Sequence, residues 1–155
     1  MTDKENTPYG TAEVDNHSYP SIDRVIDLNY AEPEKIERLC RFIENTSKIV
    51  PGKTVVVSHG PELRLFAKEN YKKYQAIVDQ LADLTGRGVE FRMCANSMKR
   101  AGFEATDMHG FITIIPAGFA EIILLQSQGY QYINPIPHDP KDVRYLDHPD
   151  LKRKK

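Results

Sequence analysis

Short apolar runs alternate along this chain with longer stretches in which apolar residues recur every three or four positions. Arg24 to Tyr30 (RVIDLNY) is β-branched and apolar, as a first strand is. Pro33 then opens a stretch with Ile36, Leu39, Cys40 and Ile43 on one helical stripe, which Pro51 and Gly52 end. Thr54 to Ser58 (TVVVS) is almost wholly apolar and predicts a central strand covered on both faces.

After the break at His59, Gly60 and Pro61, a long helical pattern aligns Tyr74, Ile77, Val78, Leu81 and Leu84 until Gly86 and Gly88. Val89 to Met93 (VEFRM) predicts a strand with Glu90 and Arg92 on a polar face, bordering solvent or a subunit contact rather than lying sandwiched between helices. A short helix over 95–101, a strand over 111–115 (FITII), a helix burying Phe119, Ile122 and Ile123, and a last strand over 130–133 complete the order. Strands alternating with helices imply βαβ units, parallel pairing and a three-layer α/β/α sandwich.

Boundaries follow from composition. Residues 1–21 are a polar leader, 22–135 one α/β domain, and 136–155 a polar tail of Pro, His, Asp and Lys that cannot supply a core. A chain of 155 residues, 40% hydrophobic and 28% charged, suits one globular domain, and no apolar run is long enough to cross a membrane. The leader carries Asp3, Glu5, Glu13 and Asp15 and lacks a secretory pattern, which implies a cytoplasmic protein. A net charge of −1 offers no general attraction for nucleic acid or anionic lipid. The closing Lys152, Arg153, Lys154 and Lys155 are balanced nearby by Asp139, Asp142, Asp147 and Asp150.

Ligands collect at the carboxyl ends of strands in open parallel sheets. Three such ends stand out: Ser58-His59-Gly60, Met93-Cys94-Ala95-Asn96 and Ile115-Pro116-Ala117-Gly118. Cys94 is the strong nucleophile among them. At a helix N-terminus its thiol meets unpaired N–H groups and the positive end of the helix dipole, which favour thiolate; equally, it can be a small hydrophobe ending a strand. Cys40 lies on an apolar stripe and reads as core.

His59 can accept a proton from the thiol or pair with the thiolate, or serve only as a hydrogen-bonding loop residue. His109 has weaker support because it precedes its strand, and His138 and His148 lie in the tail. Asn96 and Ser97 suit helix capping by their side chains, with substrate orientation secondary. Gly60, Ala117 and Gly118 would line a binding site, Gly118 by allowing close backbone approach. Tyr71, Tyr74, Lys72 and Lys73 read as core and solvated face rather than a stacking and phosphate surface. No glycine-rich nucleotide motif is present, no cofactor is implied, and the two cysteines have no partners at zinc-like spacing.

The strings Val55-Val-Val-Ser-His59-Gly60-Pro61, Gly88-Val89-Glu-Phe-Arg-Met-Cys94-Ala-Asn96, Ile115-Pro116-Ala117-Gly118, Gln126-Ser-Gln-Gly129-Tyr130 and Tyr132-Ile-Asn-Pro135, in this order, resemble the intracellular sulfur oxidation DsrE/DsrF-like (YchN-like) family. The resemblance implies a five-stranded parallel sheet between helices, homotrimers or homohexamers, and a cysteine at position 94 that carries sulfur as a persulfide between donor and acceptor proteins. The His-Gly-Pro and Cys-x-Asn form is closer to family members of unknown role than to the relay proteins.

Three functions compete. The first is a sulfur carrier or sulfurtransferase component working through Cys94. The second is a non-catalytic oligomeric protein that binds a small ligand near His59 and Gly118 or acts in regulation, with Cys94 merely packed. Metal binding would require His59, Cys94 and His109 to converge and ranks last.

Overall fold

A computed structural model describes residues 7–136 and 143–151. Strands β1 (Arg24–Leu28), β2 (Thr54–Ser58), β3 (Glu90–Cys94), β4 (Ile112–Ile115) and β5 (Gln131–Ile133) form one sheet in the order β4-β3-β2-β1-β5. Every pairing is parallel. The helices are α1 (Ile36–Ile49), α2 (Tyr71–Gly86), α3 (Ala95–Arg100) and α4 (Gly118–Ser127). The fold is the expected α/β sandwich, with the fully buried β2 at its centre.

Alternation along the strands sorts side chains between two cores. Ile26, Leu28, Val56, Phe91 and Met93 face one side with Ile36, Leu39, Val78, Leu81 and Met98 of α1, α2 and α3. Val25, Val55 and Val57 face the other with Ile122 and Leu125 of α4. Cys40 belongs to the first core at 2% exposure, and burial pushes its thiol up to about 12. It is a packing residue.

Buried Arg24 secures the lower ends of β1 and β2. Its Nε donates to Thr54 Oγ1 at 2.9 Å and its Nη1 to the carbonyls of Val50 at 2.8 Å and Ile22 at 3.0 Å. The segment after Pro61 is not continuous helix: 3₁₀ turns at Pro61–Phe66 and Lys68–Asn70 precede α2. Tyr74 is buried, and the Tyr71 hydroxyl donates to Asp79 at 2.9 Å.

Helix α4 departs from expectation. Ile122 is buried as foreseen, but Phe119 and Ile123 are 67% and 66% exposed. The helix is apolar on several sides, and only the stripe of Gly118, Ile122 and Leu125 is buried. An apolar face is therefore left outward.

The polar face of β3 is half covered. Arg92 reaches α4, donating from Nη1 to Glu121 Oε2 at 2.6 Å, and Nη2 donates to Glu90 Oε2 at 3.0 Å. An open groove of about 610 Å³ lies at the strand starts beside this pair, lined by Lys53, Glu90, Arg92, Thr113 and Tyr130. It lies away from the strand ends that carry Cys94 and His59.

Candidate active site at the strand ends

Cys94 is the last residue of β3 and the N-cap of α3, 6% exposed. Its sulfur accepts from the Ser97 backbone N–H at 3.4 Å. Asn96 and Ser97 do not cap the helix with their own side chains as expected. The helix begins at Ala95, so both lie inside its first turn and the cap position falls on Cys94. Burial pushes the Cys94 thiol up, but hydrogen bonds from the Ser97 side chain and from the Ser97, Gly118 and Asn96 backbones outweigh it, and the thiol lies below its ordinary value.

His59 follows β2, its N–H bonded to the Leu28 carbonyl at 3.2 Å and its side chain 8% exposed. Gly118 is wedged between His59 and Cys94. A Cβ on it would lie 3.0 Å from His59 Cβ and 3.3 Å from Cys94 Cβ. Neither of those atoms can move without its backbone, so a side chain here would push His59 and Cys94 apart by a few tenths of an ångström. His59 and Cys94 are thus neighbours across one α-carbon, and the Gly118 N–H is among the donors that lower the Cys94 thiol.

On its far side, His59 Nε2 bonds Asp27 Oδ1, and the Tyr132 hydroxyl donates to Asp27 Oδ2. Asp27 is 7% exposed. It shares the α4 side of β1 with Val25 by strand alternation, and Tyr132 registers beside Val25 on β5. Tyr132, Asp27, His59 and Cys94 therefore form a row across four adjacent strands, β5-β1-β2-β3. The Phe119 ring, centred 5.0 Å from that of His59, covers the row in part.

Beneath the row lies Glu62, fully buried. It accepts from Ser58 Oγ at 2.5 Å, Gly60 N at 3.0 Å and Tyr30 N at 2.9 Å, which ties the β2 exit to the β1 exit. A Cβ on Gly60 would lie 2.7 Å from Glu62 Oε1 and 3.0 Å from Asn29 Cα. Gly60 thus keeps this loop compact. Burial raises the Glu62 carboxyl above its ordinary value, against the lowering effect of those three donors.

The remaining expected residues contribute no side-chain contact to this row. Ala117 is the extended residue before α4, and the Asn96 side chain is exposed. His109 stacks on Phe111 with ring centroids 5.8 Å apart, and Tyr71 meets it edge-on. Among the described residues no group of three or more His, Cys, Asp or Glu could hold a metal ion, so the convergence that metal binding needed is absent. His148 is exposed, and His138 lies outside the described residues.

Asp27, Tyr132 and Glu62 were not singled out in the sequence. An aspartate inside an apolar run and a glutamate directly after a strand-end proline look like solvent-facing positions. The one signal was Asp27 itself, a charge in a strand otherwise fit for full burial.

The model of the DsrE/DsrF-like family matches residues 26–135, most of the chain and the whole of the row just described. The chain belongs to the DsrE/DsrF-like family. Among solved structures it is similar to a protein of unknown function, MTH1491 from Methanobacterium thermoautotrophicum, with TM-score 0.61 and 19% identity over 77% of this chain and 100% of that one. At that identity the likeness shows the fold alone. No curated protein matches the chain.

Proposed function

We propose that this DsrE-like protein is a sulfur carrier or sulfurtransferase component that holds sulfur as a persulfide on Cys94. The observation that carries the reading is the set of N–H and O–H donors from Ser97, Asn96 and Gly118 on the Cys94 sulfur, which favours thiolate at a strand end. His59, across Gly118, is the group that takes the thiol proton.

The transfer balances without an external oxidant. The Cys94 thiolate attacks the outer sulfur of a donor persulfide R–S–SH; the donor S–S bond breaks, a new S–S bond forms on Cys94, and R–S⁻ leaves. Attack by an acceptor thiolate on the outer sulfur of loaded Cys94 reverses the sequence. The same chemistry serves a turnover enzyme or a stoichiometric carrier. A reducing cytoplasm, where both thiols stay free, is the setting that suits it. Among the described residues no helix is long and apolar enough to cross a membrane.

The test is a load-and-return cycle followed by intact-protein mass spectrometry. Incubation with a small persulfide donor is expected to add one sulfur mass, and a later excess of acceptor thiol to remove it. A mass that never rises, under conditions that load a known carrier, sinks the proposal.

One observation favours the competing reading, in which Cys94 is structural and the strand-end loops with Gly60, Ala117 and Gly118 bind a small ligand: Cys94 is only 6% exposed. The two readings part on alkylation. A packed thiol resists a small electrophile, whereas a carrier thiol reacts.

The carrier is proposed to be a homotrimer or homohexamer, as the family resemblance implies, with the bare face of α4 at a subunit contact. Ile123 and Leu124 are 66% and 48% exposed beside Phe119, an apolar face that a monomer has little reason to show. Ile123→Asp with Leu124→Asp is expected to convert the oligomer to a monomer in light scattering without loss of fold. A wild type that is already monomeric contradicts this assembly.

A further inference from the structure

The row at the strand ends extends past the two residues that the sulfur reaction uses. Asp27 lies on β1 and Tyr132 on β5, and the Tyr132 hydroxyl bonds the same carboxylate that bonds His59. Both carboxylate oxygens are engaged, one by the imidazole and one by the phenol. A carboxylate accepts and cannot donate, so the His59 nitrogen facing it must be the one that carries hydrogen. The nitrogen bonded to Cγ is Nδ1, and the Cβ–Cγ end of the ring abuts Gly118, whose other neighbour is Cys94.

We propose that Asp27 and Tyr132 are positioning residues that hold His59 with its Nε2 hydrogen on Asp27 and so assign Nδ1 to exchange the Cys94 proton. This rests on the reading of Cys94 as a reactive thiol. In the step, the S–H proton moves to Nδ1, leaving Cys94 thiolate and an imidazolium whose Nε2–H stays on the Asp27 carboxylate. Tyr132 fixes the second carboxylate oxygen, so Asp27 cannot rotate away. The hydrogen bond to Asp27, and secondarily burial, hold the Tyr132 hydroxyl above its ordinary value, which keeps it a donor.

The charged and titratable groups around His59 are few among the described residues. They are Asp27 from β1, Tyr132 from β5, Cys94 from β3, and Glu62 beneath the turn, whose carboxylate feels the His59 charge. From α4 the ring meets Phe119 and Gly118, and the Glu121 carboxylate on that helix is engaged by Arg92.

Two readouts on the full-length protein test the proposal. The first is long-range nitrogen-15 NMR of the His59 ring, where Nε2 should carry hydrogen both in the neutral tautomer and after Nδ1 has taken the Cys94 proton. The second is the pH profile of Cys94 alkylation by iodoacetamide, mapped by peptide mass spectrometry. Asp27→Asn is expected to slow alkylation at pH 7 about tenfold or more and move the midpoint up by about one pH unit. Tyr132→Phe should give a smaller change in the same direction, about two- to fivefold. A merely structural pair would move the melting temperature and leave tautomer and profile unchanged.

A neutral wild-type ring with its hydrogen on Nδ1 and a bare Nε2, or a folded Asp27→Asn protein with the wild-type profile, overturns the assignment. If Asp27→Asn does not fold, Tyr132→Phe alone decides by the same two readouts. Should wild-type Cys94 prove no more reactive than an ordinary thiol, the carrier reading fails, and the NMR tautomer with its response to Tyr132→Phe still settles the positioning role.

Discussion

Glu62→Ala is expected to destabilise the domain by about 3–5 kcal/mol, a large share of the stability a domain of this size has. The carboxylate is fully buried and is the acceptor for Tyr30 N–H, Gly60 N–H and Ser58 O–H. Removing it orphans two backbone donors and leaves a void, and each unsatisfied buried donor costs about 1–3 kcal/mol. Urea unfolding followed by circular dichroism measures the loss. A change under about 1 kcal/mol would mean that water replaces the carboxylate at little cost.

Glu62→Gln separates shape from charge. An amide has one acceptor oxygen, so its NH₂ must face either Tyr30 N–H or Gly60 N–H, at a cost of about 1–3 kcal/mol. The pH dependence of this gap has a definite sign. Burial raises the Glu62 carboxyl in the folded state, so the folded protein binds this proton more tightly than the unfolded chain does. Its contribution is fully present below the ordinary glutamate value and is lost as pH rises through the raised one. The advantage of wild type over Glu62→Gln should therefore be largest in acid and shrink toward neutrality.

The second large effect is selectivity between the two cysteines. Iodoacetamide at neutral pH is expected to label Cys94 and leave Cys40 untouched. Cys40 is pushed up to about 12 by burial, then by Glu44 and Glu37, whereas the donors on Cys94 bring it below its ordinary value despite burial. With Cys40 raised and Cys94 lowered, the thiolate present at neutral pH is overwhelmingly that of Cys94. Equal labelling, or labelling of Cys40 first, would mean that access rather than thiolate character governs this protein.

Most of the fold was legible because burial imposes simple patterns. TVVVS had to be a strand covered on both faces, and it occupies the centre of the sheet. The α2 stripe through Tyr74, Val78, Leu81 and Leu84 could be aligned because its other faces are polar. In α4 that contrast is missing, so periodicity could not tell which of Phe119, Ile122, Ile123 and Leu125 meets the sheet.

The site was legible only in part, for a topological reason. Cys94 and His59 announced themselves by chemistry at strand ends. Asp27 matters because β1 lies beside β2, and Tyr132 because β5 returns to the far side of β1. Neither adjacency is written in local spacing. The cap on α3 was misassigned to Asn96 and Ser97 because oxygen side chains are the usual caps, whereas here the helix starts one residue after a cysteine whose sulfur takes that role.

The most direct test of the central claim is to locate the transferred sulfur. After incubation with a small persulfide donor, the protein is digested without reduction and the peptides holding Cys94 and Cys40 are weighed, alongside Cys94→Ser and Cys40→Ser. One added sulfur on the Cys94 peptide of wild type and Cys40→Ser, with none on Cys94→Ser, is the predicted result. Sulfur on Cys40, or an unmodified Cys94 under conditions that load a known carrier, would contradict it.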